Sequence, residues 1–330
     1  MTRFTATIKD LKRALSVVAL ATGDASNSIH SHSLFCVSYD AITLYSTDED
    51  KISMASFPLT NLETEGEDDV VQTQFTADPK RIQSLITNAD IADVKFEYEP
   101  ETKTLNVYAS EDPKAFISFA SFDPTNFLDF GKDLVDAKNI KNLPAGVFLT
   151  GIKFILGFLP KDDKNKKFSN LYMDNGVMLG SDGSIKVGAF LNDDFKDMPT
   201  LILRKPMLQP IVNMIDKLDL FEINVKHSNK FIVFFSPDEQ FCFGFRNTTS
   251  TMIKFPITLD KPTTNGFNIE RATTQKKLNR LALSSWEDIG VKMTVKDNEL
   301  LMETATDRKS NERLSCSRVS GEGEIEFIIE

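Results

Sequence analysis

His30-Ser31-His32 sets two imidazoles two residues apart, a spacing at which side chains on one face of a strand could share a metal ion. No further Cys or His cluster lies nearby, and His227 stands before Ser228-Asn229 in a run that reads as a turn. A solvated loop accounts for the first pair. Asp48, Asp50 and Asp182 are hard oxygen donors for a divalent ion, yet their spacing converges on no site. Gly180-Ser181-Asp182-Gly183 could cradle a phosphate if a helix followed it; strand-like runs flank it, so a hairpin turn explains it. The motifs G-x-x-x-x-G-K-[ST], G-x-G-x-x-G and G-x-S-x-G do not occur. Cys36, Cys242 and Cys316 form no paired framework and read as small buried hydrophobes of a reducing compartment. The expectation is therefore no catalytic residue, no metal and no cofactor.

What remains is positive charge in a pattern. Lys9, Lys12, Arg13, Lys80, Arg81, Lys153, Arg204, Lys205, Lys217, Arg271, Lys276, Lys277 and Arg280 fall on or at the start of predicted helices, opposite their apolar stripes. Acidic residues gather elsewhere, at Glu63 to Asp69, Glu97 to Glu101, Asp193-Asp194 and Glu322 to Glu330. The net charge is −10, which argues against a protein that coats nucleic acid over its whole surface. A basic face on an acidic body fits a protein that meets phosphate on one side only. For any one Lys or Arg a solvated helix face is explanation enough; recurrence on five helices is what gives the pattern weight. Lys161-Asp162-Asp163-Lys164-Asn165-Lys166-Lys167 is a charge-dense loop that would reach a DNA backbone or simply be solvated.

The elements that must carry these residues repeat. With 330 residues and 41% hydrophobic content, the chain can bury a sizeable core. Its 26 phenylalanines lie mostly in alternating, strand-like runs. Each repeat opens with a short strand, continues as an amphipathic helix and ends in three strands. The first opens at Phe4-Thr5-Ala6-Thr7, with a helix over 8–21 striped by Ile8, Leu11, Leu15 and Val18. The second opens at Gln74-Phe75-Thr76 and enters its helix at Asp78-Pro79, a cap followed by Pro at the first helical position. Helices over 150–159, 206–218 and 271–284 begin the third, fourth and fifth, and a last strand over 325–329 follows. Ile42 to Asp48, Val177 to Asp182 and Leu300 to Asp307 echo one another, each a strand running through small or hydroxyl residues to Asp. No apolar run approaches the roughly 20 residues of a membrane span, and residues 1–5 lack the apolar core of a signal peptide.

Five βαβββ units in this order, with Leu171-Tyr172-Met173 leading to Ser181-Asp182-Gly183 and Leu203-Arg204-Lys205 before the 206–218 helix, resemble the DNA polymerase sliding clamps of the bacterial beta-clamp family. The resemblance covers essentially the whole chain and is to a divergent version, bacterial or phage-type. It implies an α+β fold of repeated βαβββ units, antiparallel sheets outside and helices lining a pore. Clamp domains would span 1–135 and 136–262, with half of a third over 263–330. The short third part means a truncated chain or a naturally short clamp. The implied partners are duplex DNA without sequence preference, a DNA polymerase, a clamp loader and further copies of the chain, closing a ring as a homodimer. No membrane is implied, and the expected place is the cytoplasm of a bacterium, or of the host if the protein is viral. The family's pocket for partner peptides maps near Ser181, Lys186, Val187, Phe255 and Pro256, with Lys186 where an aliphatic residue is usual. Two other classes stay open: a non-enzymatic interaction or structural protein of repeated β units, and a metal-dependent nuclease that would need convergent carboxylates.

Overall fold

Alternation sets the first strand. Thr2–Thr7 buries every second side chain, Phe4 and Ala6 among them, and passes directly into helix α1 (Ile8–Val18). The Thr7 hydroxyl accepts from the Asp10 N–H and closes the helix start, while Leu11, Ala14, Leu15 and Val18 face the core. Helix α2 (Pro79–Thr87) begins where Asp78 accepts from the N–H groups of Lys80 and Arg81. A single turn, α3 (Gly131–Val135), precedes α4 (Ala145–Leu156), α5 (Lys205–Leu218) and α6 (Arg271–Leu283). The structure, a computed structural model, describes residues 1–23, 28–64, 73–110, 112, 114–160, 169–174, 176–181, 186–191, 193–196, 198–247, 266–283, 291–304, 310–320 and 325–329.

One boundary differs clearly from the sequence reading. The helix expected over 150–159 is Ala145–Leu156, five residues earlier at its start. Gly146 and Gly151 weaken the local helical signal, but Phe148, Ile152 and Ile155 are spaced to bury together and packing overrides propensity. A Cβ on Gly151 would stand 2.7 Å from the Met178 sulfur, so the glycine lets α4 lie close to its sheet.

The chain divides into two contact units, residues 1–254 and 255–330. In the first, every strand pair is antiparallel, and the repeats exchange their opening strands. Thr2–Thr7 pairs with Asp93–Glu99 of the second repeat, and Thr73–Ala77 pairs with Ser33–Val37 of the first. The third and fourth repeats do the same: Lys138–Pro144 pairs with Glu222–His227, and Leu201–Arg204 with Asn170–Asp174. The result is a five-stranded sheet, an eight-stranded sheet and a four-stranded sheet. The eight-stranded sheet is continuous because Phe241–Arg246 pairs with Lys51–Pro58. A stack of rings ties two sheets together. Phe75 lies 4.9 Å from Phe35 in its own sheet, and 4.8 Å from Tyr98 and 6.0 Å from Phe4 in the five-stranded one.

The joint between the halves leaves no room for a side chain at Gly244. A Cβ there would stand 2.9 Å from the Ile232 carbonyl oxygen and 3.1 Å from Ile52. Backbone cannot yield as a flexible side chain does, so Gly244→Ala is expected to cost about 1–3 kcal/mol. A lowered urea midpoint with unchanged m-value is the predicted readout; an unchanged midpoint would show that the sheet shifts freely at this joint.

Residues 121–137 cross the far face of the eight-stranded sheet. Thr76 pins one end, its N–H donating to the Ser121 hydroxyl and its own hydroxyl accepting from the Phe122 N–H. At the other end Phe127, Phe130 and Leu134 bury against Ile52, Phe231, Val233 and Cys242. Hydrogen bonds from Thr125, together with the Lys103 ammonium, hold the Asp123 carboxyl at about 2.

In the second unit, α6 and the strands Gly266–Ile269, Val291–Lys296, Glu299–Thr304, Asn311–Ser320 and Ile325–Ile329 make a five-stranded antiparallel sheet over a core of Leu281, Met293, Val295, Leu300, Met302 and Leu314. Here the opening strand Gly266–Ile269 pairs with Asn311–Ser320 of its own repeat.

Candidate nucleic-acid interface

Helix packing arranges the basic residues. In the first unit α1 packs against α2 and α5, and α5 packs against α4, giving the continuous row α2-α1-α5-α4. These four helices carry eight Lys or Arg and only two acidic residues, Asp10 and Asp216, in a chain of net charge −10. The row is therefore a basic strip on an acidic body. In the second unit, taken by itself, α6 carries Arg271, Lys276, Lys277 and Arg280 and no acidic residue.

Individual placements differ. Lys9, Lys80, Arg81, Lys153 and Lys217 are exposed. Lys12 donates to the carbonyl of Thr87 at the end of α2, 3.1 Å away, where a cation meets the negative pole of the helix. Arg13 is half-buried, its guanidinium 5.4 Å from the Phe241 ring centroid, so part of its charge is spent on packing. Lys153 pairs with Asp216 at 2.9 Å and Arg81 with Asp78 at 3.4 Å. Exposed pairs of this kind hold by roughly 0–1 kcal/mol, so a phosphate can draw either cation away. Lys205 donates to the Pro160 carbonyl. In the second unit Arg271 and Lys276 are exposed, Lys277 donates to the Arg313 carbonyl, and Arg280 pairs with Glu312 at 3.0 Å.

Arg204 is the exception. It occupies the N-cap position of α5, half-buried, and faces Asp50 at 3.7 Å, beyond hydrogen-bond reach. Among the described residues, its Nε and Nη2 are buried without an acceptor. An unmade bond on a buried donor costs about 1–3 kcal/mol, more for a charged one. Arg246 approaches the same carboxylate from the end of its strand, at 3.8 Å. Sequence reading named Arg204 and overlooked Arg246; the strand end it occupies was the available signal.

The residues considered for metal chemistry do other work. Asp48 accepts from the N–H groups of Asp50 and Lys51 and pairs with Lys51 at 2.8 Å, closing the turn in which Glu49 takes the left-handed conformation at φ 73°. His30 sits in the 3-10 turn Ile29–Ser31, and His32 sets its ring edge-on to Phe122 at 4.6 Å. Burial lowers the His32 pKa. Among the described residues no group of three or more His, Cys, Asp and Glu stands together as metal ligands. Cys242 and Cys316 are buried and Cys36 half-buried; burial raises the Cys36 thiol to about 11 and Cys242 to about 12. Asp182 and the loop 161–167 lie outside the described residues.

Of the peptide-pocket positions, Ser181 is buried and pairs across strands with Lys186, as Gly180 does with Val187. Phe255 and Pro256 lie outside the described residues. Among the described residues, no helix is long and apolar enough to cross a membrane.

Paired βαβββ repeats, exchanged opening strands and a helix row backed by antiparallel sheets define the class: this is the sliding-clamp fold. Solved structures with it include DNA polymerase III subunit beta from Pseudomonas aeruginosa, with a TM-score of 0.76 at 14% identity over 99% of this chain and 87% of that one. The DNA polymerase III beta subunit of Thermotoga maritima gives 0.75 at 12% identity over the same shares. The Helicobacter pylori beta clamp gives 0.77 at 15% identity over 99% of this chain and 85% of that one. No protein-family model and no curated protein sequence matches the chain. The likeness lies in the fold, at identities where sequence similarity has faded.

Proposed function

We propose that this chain is a DNA sliding clamp, a non-enzymatic processivity factor that encircles duplex DNA and tethers a replicative polymerase. The carrying observation is the row α2-α1-α5-α4, basic in a chain of net charge −10 and fused by the shared sheet. Lysines on exposed helix faces attract phosphate without reading bases, so no single register is held and the ring can slide. The division into clamp domains 1–135, 136–262 and a shorter 263–330 belongs to this reading, as do α6 as a further pore helix and the cytoplasm as working place.

Ring closure needs sheet edges that another copy can extend. Ile117–Ala120 ends the five-stranded sheet, with Ile117 at its start and Phe116 just before it about half exposed. In this reading a second copy adds there and the ring closes as a homodimer. A clamp loader opens it, and polymerase peptides dock near Ser181, Lys186, Val187, Phe255 and Pro256.

Electron-microscope class averages of the purified protein at several concentrations, paired with retention on nicked circular DNA, test the proposal. Rings with a hole wide enough for duplex DNA, and loss of retained protein when the circle is cut, are expected. Compact particles that hold linear and circular DNA equally, or neither, would overturn it in favour of an interaction protein built from the same repeats.

A further inference from the structure

We propose that Arg204 and Arg246 form a two-arginine phosphate site that Asp50 shields until a DNA backbone phosphate displaces it. The inference rests on the clamp reading and adds to it a gated contact at one end of the α1–α5 pair.

Three chain segments meet here. Arg204 ends the strand Leu201–Arg204 and starts α5. Arg246 ends Phe241–Arg246, donates its backbone N–H to the Asp50 carbonyl at 2.8 Å and donates Nη2 and Nε to the Glu49 carbonyl at 3.1 and 3.4 Å. Asp50 lies on the tight turn between Ala41–Thr47 and Lys51–Pro58. Its two carboxylate oxygens lie 3.7 Å from Arg204 Nη1 and 3.8 Å from Arg246 Nε. One carboxylate thus faces two guanidinium groups at ion-pair distance without a hydrogen bond to either, and Arg204 keeps two donors without an acceptor among the described residues.

A phosphate suits that site better than Asp50 does. It offers several acceptor oxygens around one centre, which two planar forks can grip at hydrogen-bond distance. The Asp50 side chain is 56% exposed and can swing toward solvent. Rotation of the long Arg204 side chain would bring its buried, unsatisfied Nε and Nη2 toward an incoming oxygen, giving those donors the acceptor they lack. Among the described residues, the charged neighbours on the same turn are Glu49, 3.5 Å from His30, and Lys51, engaged by Asp48. Asp50 then keeps the site weak for stray anions and yields to the dense charge of duplex DNA.

The test compares the full chain with R204Q/R246Q and with D50N for retention on nicked circular duplex across a salt series. The double variant is expected to lose about one unit of the log–log salt slope, hence retention about tenfold lower near 0.1 M salt. D50N is expected to retain DNA severalfold better than wild type, the opposite of what loss of a structural residue would do. Wild-type slope in R204Q/R246Q, or D50N retention at or below wild type, overturns the site while leaving the clamp intact. Wild type that is held no better on circles than on linear DNA overturns the clamp reading and this site with it.

Discussion

Replacing Lys9, Lys80, Lys153 and Lys217 together by Gln is expected to flatten the salt dependence of DNA retention by three to four units, about 0.9 for each phosphate contact removed. Near 0.1 M salt that is a loss on the order of a thousandfold relative to wild type. The four residues span the helix row, one each on α1, α2, α4 and α5, and all are exposed. Their loss should leave stability within about 0.5 kcal/mol, because surface substitutions away from packed features cost little. Lys153 gives up its pair with Asp216, an exposed contact of small value. The control set is Lys103, Lys132, Lys138 and Lys230, equal in charge and placed on turns, α3 and an edge strand instead. If the control lowers retention as much, net charge and not placement governs binding, and the helix row is not the interface.

The second large effect concerns the core that holds the row in place. Phe75→Ala is expected to cost about 3–5 kcal/mol, a large part of the 5–15 kcal/mol that stabilises a typical domain. Phe75 is fully buried and touches rings on both sides: Phe35 within its sheet, Phe4 and Tyr98 across the gap. Truncation removes the ring's own burial and leaves a void between two sheets that the exchanged strands keep from closing. Phe75→Leu refills most of that space and should recover more than half of the loss. Urea unfolding with near-ultraviolet circular dichroism reads both variants. A cost below about 1.5 kcal/mol for Phe75→Ala would mean the sheets collapse together freely and the ring stack is not a rigid spacer.

The sequence by itself determined the local elements and their repetition. Thr7 and Asp78 cap the helices they precede, Pro79 starts α2, and stripes at helical spacing separate buried Leu11, Leu15 and Val18 from basic Lys9 and Lys12. These features rest on neighbours a few residues apart, where capping, propensity and periodicity act, so they could be read off the chain. The basic faces were legible for the same reason. The start of α4 was not, because two glycines argue locally against a helix that burial of Phe148 and Ile152 enforces. Nor was the strand exchange: Thr2–Thr7 could in principle pair with any neighbouring edge, and only packing of Phe4 against Phe75 and Phe96 selects Asp93–Glu99. Covering of the far sheet face by residues 121–137 likewise depends on apolar area exposed only once the eight strands have joined. The meeting of Asp50, Arg204 and Arg246 lies furthest from sequence reading, since it is made by three chain segments that the shared sheet and the α1–α5 contact bring together. Local chemistry writes the elements; long-range burial chooses which of their ends meet, and the proposed phosphate site lies at such a meeting.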